Sequence, residues 1–492
     1  MNEKNTCSLI DARLIEDTHF LTRFVEPPRL KQREPVVAPG QMYGTVIREA
    51  PGRWKMWYLG GRQGVPPMAD IIYRICYATS TNGVDWEKPA LNLIEVPDKL
   101  SPNNAIMERY HYDQAGNDMS GSGGPEGFEV IDAHLTPHPA ARARYTALYR
   151  ASPCDRHGGV CAAYSEDGLR WTSYPENPII AGISDTLTTT YYDPIAREYV
   201  LYGRPLMVNA GREPKHNATR KIARYTSPDL VHWSLPKIVF VTDDLDAPAV
   251  PTFQEAVMGA GARGRDKQFY NFTAWQDHDL LIGLVTIFDV KPGTLSVELV
   301  HSYDGIQWRR ELNRPAYIAD GNPDGMRGTM FIMMQTGPFL EGDEHFIYVS
   351  QTPMKHCLEN IHKEGMVSET KIMLLATKRD RWVGYSAGEV EGELVSSPMN
   401  WNGGRLTLNA RIEKGGHIAV SFDDERGSPL TDFDLDLRPP IEGPLDSVDI
   451  PFTFGPDIGA GPKRVLKFPT RGPVRLRLKM RKAAVFGWSM AL

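Results

Sequence analysis

The chain has 492 residues and a formal net charge of -6, with 55 Lys and Arg against 61 Asp and Glu, so it lacks the basic footprint that nucleic-acid binding demands. Its longest apolar run, Leu280 to Phe288, is too short to span a bilayer, and the first residues lack the apolar core of a signal peptide. Five scattered cysteines make no disulfide framework and no zinc spacing, so the sequence predicts a cytoplasmic protein with no membrane partner, no metal and no cofactor.

Residues 1–40 hold one predicted strand, Ser8 to Leu14, followed by a linker with Pro27, Pro28, Pro35 and Pro39. From there a pattern recurs: a short alternating strand, Ser or Thr, a tight Asn-Gly or Asp-Gly turn, and a Trp that begins another strand. Its copies are Tyr77 to Trp86, Ala163 to Trp171, Arg224 to Trp233 and Glu298 to Trp308, with a worn fifth from Leu375 to Trp382. Asn-Gly and Asp-Gly accept the positive φ that turns between twisted strands require. The Trp positions are 85, 62, 75 and 74 residues apart, longer than the roughly 40 to 50 residues of short propeller repeats, so each unit carries long loops. The fold class read from this is all-β: a five-bladed β-propeller over 41–384, followed by a C-terminal β-sandwich over 385–492. The N-terminal strand is expected to pair with the last blade and close the ring, removing an open edge, the alternative being a decorative N-terminal arm. A sandwich with accidental likeness among hairpins is the alternative.

Loops are predicted at 101–125 and 243–265, rich in Gly, Asp, Asn and Pro. After Trp382 the alternating stretches Leu406 to Asn409, His417 to Phe422, Val474 to Arg481 and Ala484 to Trp488 mark the sandwich, which offers a surface for self-association as a homo-oligomer.

In a propeller the innermost strands converge on one axial pocket. Registering the units on Tyr145 to Arg150 and Tyr199 to Arg204 puts Asp132 and Asp185 at nearly equal offsets upstream, 13 and 14 residues. Two carboxylates across a pocket are what glycoside hydrolysis needs, one as acid and the other as nucleophile or base. His134, Tyr270 and Asn271 are polar residues on the predicted inner strands; Arg74 and Arg204 lie at outer-strand edges, Arg327 near unit five, and Glu298 within the hairpin motif. All seven are candidate substrate contacts. Glu126 and Glu129 are further acids without a distinguishing position.

These residues carry a resemblance. Lys55-Met-Trp-Tyr58, Ser184-Asp-Thr186, Tyr192-Asp-Pro194, Tyr199-Val-Leu-Tyr202, Ile282-Gly-Leu-Val285 and Val297 to Gly305 look like a large bacterial group similar to the five-bladed propeller glycosidases of the invertase and arabinanase type. The likeness runs from Ser8 to Glu16 at the start to Pro473 to Lys479 near the end. It implies three acids: an Asp of blade one as nucleophile or base, an Asp of blade two that stabilises the transition state, and a Glu of blade three as acid. Asp132 matches the second, Asp185 stands at the third, and blade one has Gln41 instead of an acid. Asp11, which matches the group's N-terminal Asp, supplies the missing carboxylate if its strand reaches the pocket. Three functions remain in competition: a hydrolase of a small or modified glycoside such as a furanoside, a phosphorylase-type enzyme in which phosphate replaces a carboxylate, and a non-catalytic carbohydrate-binding propeller.

Overall fold

The computed structural model describes residues 5–63, 71–96, 102–121, 124–151, 159–181, 188–205, 220–246, 267–289, 292–319, 328, 330–334, 336–353, 355, 370–400, 405–430, 439–452 and 472–491. The chain forms two compact units, one of Pro28–Phe339 with Phe346–Ala376, the other of Met1–Pro27, Leu340–His345 and Thr377–Leu492.

The first unit is a five-bladed propeller. From the axis outward, blade one holds Gln41–Ala50, Arg53–Gln63, Ile71–Ser80 and Trp86–Glu87; blade two Glu126–Asp132, Tyr145–Ala151, Gly159–Ser165 and Thr172–Ser173; blade three Thr189–Asp193, Glu198–Gly203, Ile222–Ser227 and Lys237–Phe240. Blade four holds Lys267–Asp277, Leu280–Asp289, Thr294–Ser302 and Trp308–Arg310, and blade five Met330–Met333, Glu344–Thr352, Lys371–Lys378 and Arg29–Leu30. The N-terminal part of the chain therefore does complete the last blade, through Leu30 on Leu375 and Val37 on Ile372. The segment that does so is 29–37, however, and not the expected strand at 8–14.

The repeated motif is a latch between blades. In each of four copies a Ser hydroxyl caps the turn by accepting a backbone N–H, and the side-chain oxygen of an Asn or Asp accepts two more: Ser80 and Asn82, Ser165 and Asp167, Ser227 and Asp229, Ser302 and Asp304. These local bonds bend the chain so that the next residue is left-handed, Gly83 at φ +73, Gly168 at +78 and Gly305 at +66. The carbonyl of each glycine then accepts a donor from the preceding blade: Tyr348 Oη at 2.6 Å, Trp57 Nε1 at 2.8 Å and Tyr202 Oη at 2.7 Å. A Cβ on Gly168 would lie 2.7 Å from the Trp57 ring, so glycine serves both the turn and the close approach. Blade three carries Leu230 at φ +66 in that place, with its carbonyl bonded to Trp233 of the same motif.

Near the axis the circle is closed by side chains of the inner strands. Thr45 Oγ1 donates to the Phe128 carbonyl, Thr189 Oγ1 to that of Phe272, Thr273 Oγ1 to that of Met334 and Thr336 Oγ1 to that of Val46, at 2.7 to 3.2 Å. Between blades two and three the link is a carboxyl: Glu129, 2% exposed, accepts from Thr188 Oγ1 and Thr190 Oγ1 at 2.9 Å and from the Thr190 N–H. Burial pushes this carboxyl up to about 8, against the lowering effect of its three donors. A folded-state value raised above the unfolded one favours folding fully below about pH 4.5, and the benefit is lost as pH rises through about 8. Glu129→Gln should therefore flatten the alkaline loss of stability, a few kcal/mol in order of magnitude, seen as converging denaturation midpoints at pH 5 and pH 9.

The second unit is one connected nine-stranded sheet. Its frame is the antiparallel ribbon of Arg405–Asp424 with Val474–Ala491. In Val474 to Met480 the apolar residues Val474, Leu476, Leu478 and Met480 are buried while Arg475, Arg477 and Lys479 between them are not, the period of a half-buried strand. The ribbon's register breaks between Ile412 and His417, where a Cβ on Gly416 would lie 2.5 Å from the carbonyl oxygen of Lys482, itself at φ +47. Both halves, from Leu406 and Leu408 to Val420 and Phe422, contribute to one core. The stretches expected to form the C-terminal β-sandwich are thus joined through these two long strands into one connected sheet around a common core. It also takes the N-terminal strands: Asn5–Ser8 pairs with Val474–Ala491, Ile15–His19 with Gly392–Ser396, and Thr22–Val25 with Val383–Ala387. The sequence-based boundary at 384/385 falls inside this last strand, whose pairing with Thr22–Val25 draws the chain start into the unit.

Candidate active site

Because the blades share one strand order, their inner strands all begin on one side of the axis, at Gln41, Glu126, Thr189, Lys267 and Met330, with Thr189 set deeper, level with Phe272. Glu126 is the carboxylate among the four of these whose side chains are described. It lies opposite Arg150 in the ladder, with Arg150 Nη1 3.6 Å from Glu126 Oε2. Two residues into blade one, Tyr43 donates to the Tyr270 hydroxyl at 2.7 Å. Burial, then the charges of Tyr270 and Glu126, hold Tyr43 well above the usual phenol range, so it stays a donor at neutral pH.

Tyr270 owes its aim to a bulge. The blade-four ladder steps from Phe269 on Ile287 to Phe272 on Val285, so Tyr270 and Asn271 together oppose Thr286. Phe269 and Phe272 join the apolar core there, which leaves the bulged pair to carry polar groups. Arg204 and Arg220 stand over the Tyr270 ring at 5.6 and 5.9 Å, and Arg220 Nη1 donates to Gln268 Oε1 at 2.6 Å. Asn271 is 2% exposed, and neither its amide N nor its O has a hydrogen-bond partner among the described residues. The rim thus combines a carboxylate, two coupled phenols and guanidinium groups, able to hold a polyhydroxylated ligand and to transfer a proton.

The structure brings Arg204, Tyr270 and Asn271 together here. Arg74, buried on the third strand of blade one, pairs with Glu108 at 3.0 Å. Asp132 is elsewhere. It ends the inner strand that Glu126 begins, roughly 20 Å away at about 3.3 Å per residue, where Arg144 Nη2 binds it at 2.8 Å and bridges to Glu49. It pairs directly with Tyr145, whereas the residue that pairs with Tyr199 is Tyr192. Equal sequence offsets from Tyr145 and Tyr199 therefore do not mark equivalent places, because the hairpin loop of blade two is longer. His134, exposed, lies just beyond Asp132 and donates its N–H to Asp132 Oδ1 at 2.9 Å.

Asp11 belongs to the second unit, where it caps the short helix Ala12–Leu14 and binds Arg13 through both oxygens. Glu298 is paired rather than presented to a ligand: Arg310 binds it through Nε and Nη2, both at 2.8 Å. Asp185 and Arg327 lie outside the described residues. Sequence reasoning named Glu126 without a position, placed Gln268 at the blade-four start as a residue that does not titrate, and missed Tyr43, Arg150 and Arg220. The available signal was Glu126 immediately before the apolar start of the blade-two strand.

No family model matches the chain, and no curated protein matches it. Solved structures do match in fold. One, described for the GH130 family of mannoside phosphorylases and its glycoside hydrolases that target beta-1,2 mannosidic linkages in Candida mannan, is 11% identical, with 72% of this chain and 94% of that chain covered at a TM-score of 0.45. A glycosyl hydrolase from Bacteroides ovatus is 12% identical, covering 73% and 96% at 0.46, and a thermostable family-43 glycoside hydrolase 12% identical, covering 71% and 92% at 0.39.

Proposed function

We propose that the protein is a carbohydrate-active enzyme that cleaves a glycosidic bond at the rim where the inner strands begin. The observation that carries this reading is Glu126 at that rim beside the Tyr43 and Tyr270 hydroxyls and Arg150. The resemblance of the motifs to propeller glycosidases supports the same class. Glu126 is assigned as one working carboxylate. Asp185, four residues before the inner strand Thr189–Asp193 of blade three, is assigned as the general acid. The acid protonates the leaving oxygen, and the carboxylate attacks the anomeric carbon or activates water.

A second reading, phosphorolysis, is favoured by the guanidinium groups of Arg150, Arg204 and Arg220 at the same rim, since fork-shaped donors suit phosphate. The test is a screen of purified protein against aryl-glycosides and oligosaccharides with and without inorganic phosphate. Turnover without phosphate supports hydrolysis, and strict phosphate dependence supports the second reading. Sugar binding without turnover in either arm would leave a carbohydrate-binding propeller.

A further inference from the structure

The second unit carries a cavity of about 250 Å³ lined by His19, Phe20, Glu391, Gly392, Glu393 and Lys479. We propose that it is an accessory saccharide-binding site, distinct from the propeller rim, that takes one neutral sugar residue with its apolar face on the Phe20 ring.

Three features support a built site. The first is a row of side chains. His19 pairs with Glu393 across one strand boundary and Glu393 with Lys479 across the next, so the three stand side by side on one face of the sheet. The second is the corner at Phe20 and Leu21, where the chain leaves its pairing with Gly392–Ser396 for Val383–Ala387. Leu21 packs on the core, yet Phe20 is 79% exposed and held at φ +52, a conformation bulky side chains rarely adopt. A polar or glycine residue would occupy such a corner without strain, and an exposed phenyl ring there needs a reason. The third is Gly392. A Cβ would lie 2.3 Å from Leu21 Cδ2 and 2.8 Å from the Phe20 carbonyl oxygen, so this glycine lets the corner sit directly on the sheet beside the cavity.

The chemistry selects the ligand. The carboxylates are held by neighbours, Glu391 by His417 Nε2 at 2.8 Å and Glu393 by Arg477, while Lys479 Nζ stands 3.9 Å from Glu393. Two fixed acceptors and one cationic donor beside an aromatic face match a sugar, whose hydroxyls donate and accept while its C–H face packs on a ring. Two carboxylates beside one ammonium disfavour an anion. The volume, just under the roughly 300–1,000 Å³ of drug-sized sites, suits a monosaccharide unit.

The ligand class rests on the carbohydrate reading above, and the experiment separates the two. Methyl glycosides of glucose, mannose, galactose, xylose and arabinose are titrated into the full chain by calorimetry and ligand-observed NMR. The proteins are Glu126→Gln, in which turnover is suppressed while the rim keeps its shape, and the same chain carrying Phe20→Ala or Phe20→Gly, so that only binding lost with Phe20 is assigned to the second unit. We expect at least one glycoside to bind, and either Phe20 change to weaken it at least tenfold. Phe20→Gly should also raise the melting temperature by relieving the left-handed strain, an effect a purely structural phenyl ring would not combine with lost binding. Unchanged affinity in both Phe20 variants overturns the proposal, while turnover by the unmodified chain would still uphold the enzyme. Binding lost with Phe20 and no turnover on any substrate would uphold this site and sink the enzyme reading; neither binding nor turnover sinks both.

Discussion

Glu126→Gln should lower turnover of whichever glycoside the screen identifies by about 100- to 10,000-fold, the usual contribution of one placed carboxyl group, with an unchanged denaturation midpoint. Gln keeps the shape of Glu and removes only the charge and the titratable proton. Its partner Arg150 keeps more than a fifth of its side chain exposed, so the loss of charge leaves no fully buried cation behind. Asp132→Asn should do the opposite. Asp132 is buried at the far rim and is bound by Arg144, which also binds Glu49. Weakening that clasp should cost about 1–3 kcal/mol of stability, the range for a buried charged hydrogen bond, and leave kcat and KM of the folded enzyme within a factor of two or so. The two variants together decide which end of the blade-two inner strand does chemistry. Loss of activity in Asp132→Asn with Glu126→Gln still active would return the site to the far rim.

The contrast between those residues shows what the sequence could reveal. Four of the hairpins were legible because their signal is local: Ser and Asn or Asp, followed in three of them by Gly, hydrogen-bond and bend within four residues, as at Ser302 to Gly305, and need nothing distant to define them. The latch to the preceding blade, Trp57 on Gly168, is invisible until the blades are placed side by side. The site was half legible for a related reason. Tyr270 and Asn271 were found because they stand in an apolar strand where polar residues are out of pattern. Asp132 was misplaced because an offset counted along the chain includes the hairpin loop, and loop length carries no information about which strand end meets the axis. The strand expected at Ser8 to Leu14 was placed in the ring because pairing there would remove an open edge of the last blade; its own pattern could not say that Asn5–Ser8 would find Val474–Ala491 instead.

Glu298→Ala should destabilise the protein by about 3–5 kcal/mol, the cost of stripping one partner from a buried ion pair, with no effect on KM at temperatures where the fold persists. Arg310 (3% side-chain exposure) lies between Glu298 (6%) and Asp246 (1%), bound to Glu298 by two bonds of 2.8 Å and to Asp246 at 2.5 and 3.0 Å. Burial alone would favour a neutral guanidine, but the hydrogen bonds and charges of the two carboxylates outweigh it and keep Arg310 above its ordinary value. Burial likewise opposes the Asp246 charge, and the bonds from Arg310 overcome it, so Asp246 titrates below the usual carboxylate range. A depressed carboxyl stabilises the fold above its unfolded value near 4, and that stabilisation is lost as pH falls through the folded value. With Glu298 removed, Asp246 must hold Arg310 alone, and acid unfolding should begin at higher pH than in the unmodified chain. The guanidinium also lies 5.4 Å from the Phe269 ring, beside the bulge that aims Tyr270, so the ion triad buttresses the rim from behind. A higher KM with an unchanged unfolding midpoint would instead place Glu298 against substrate, the role its position in the hairpin motif first suggested.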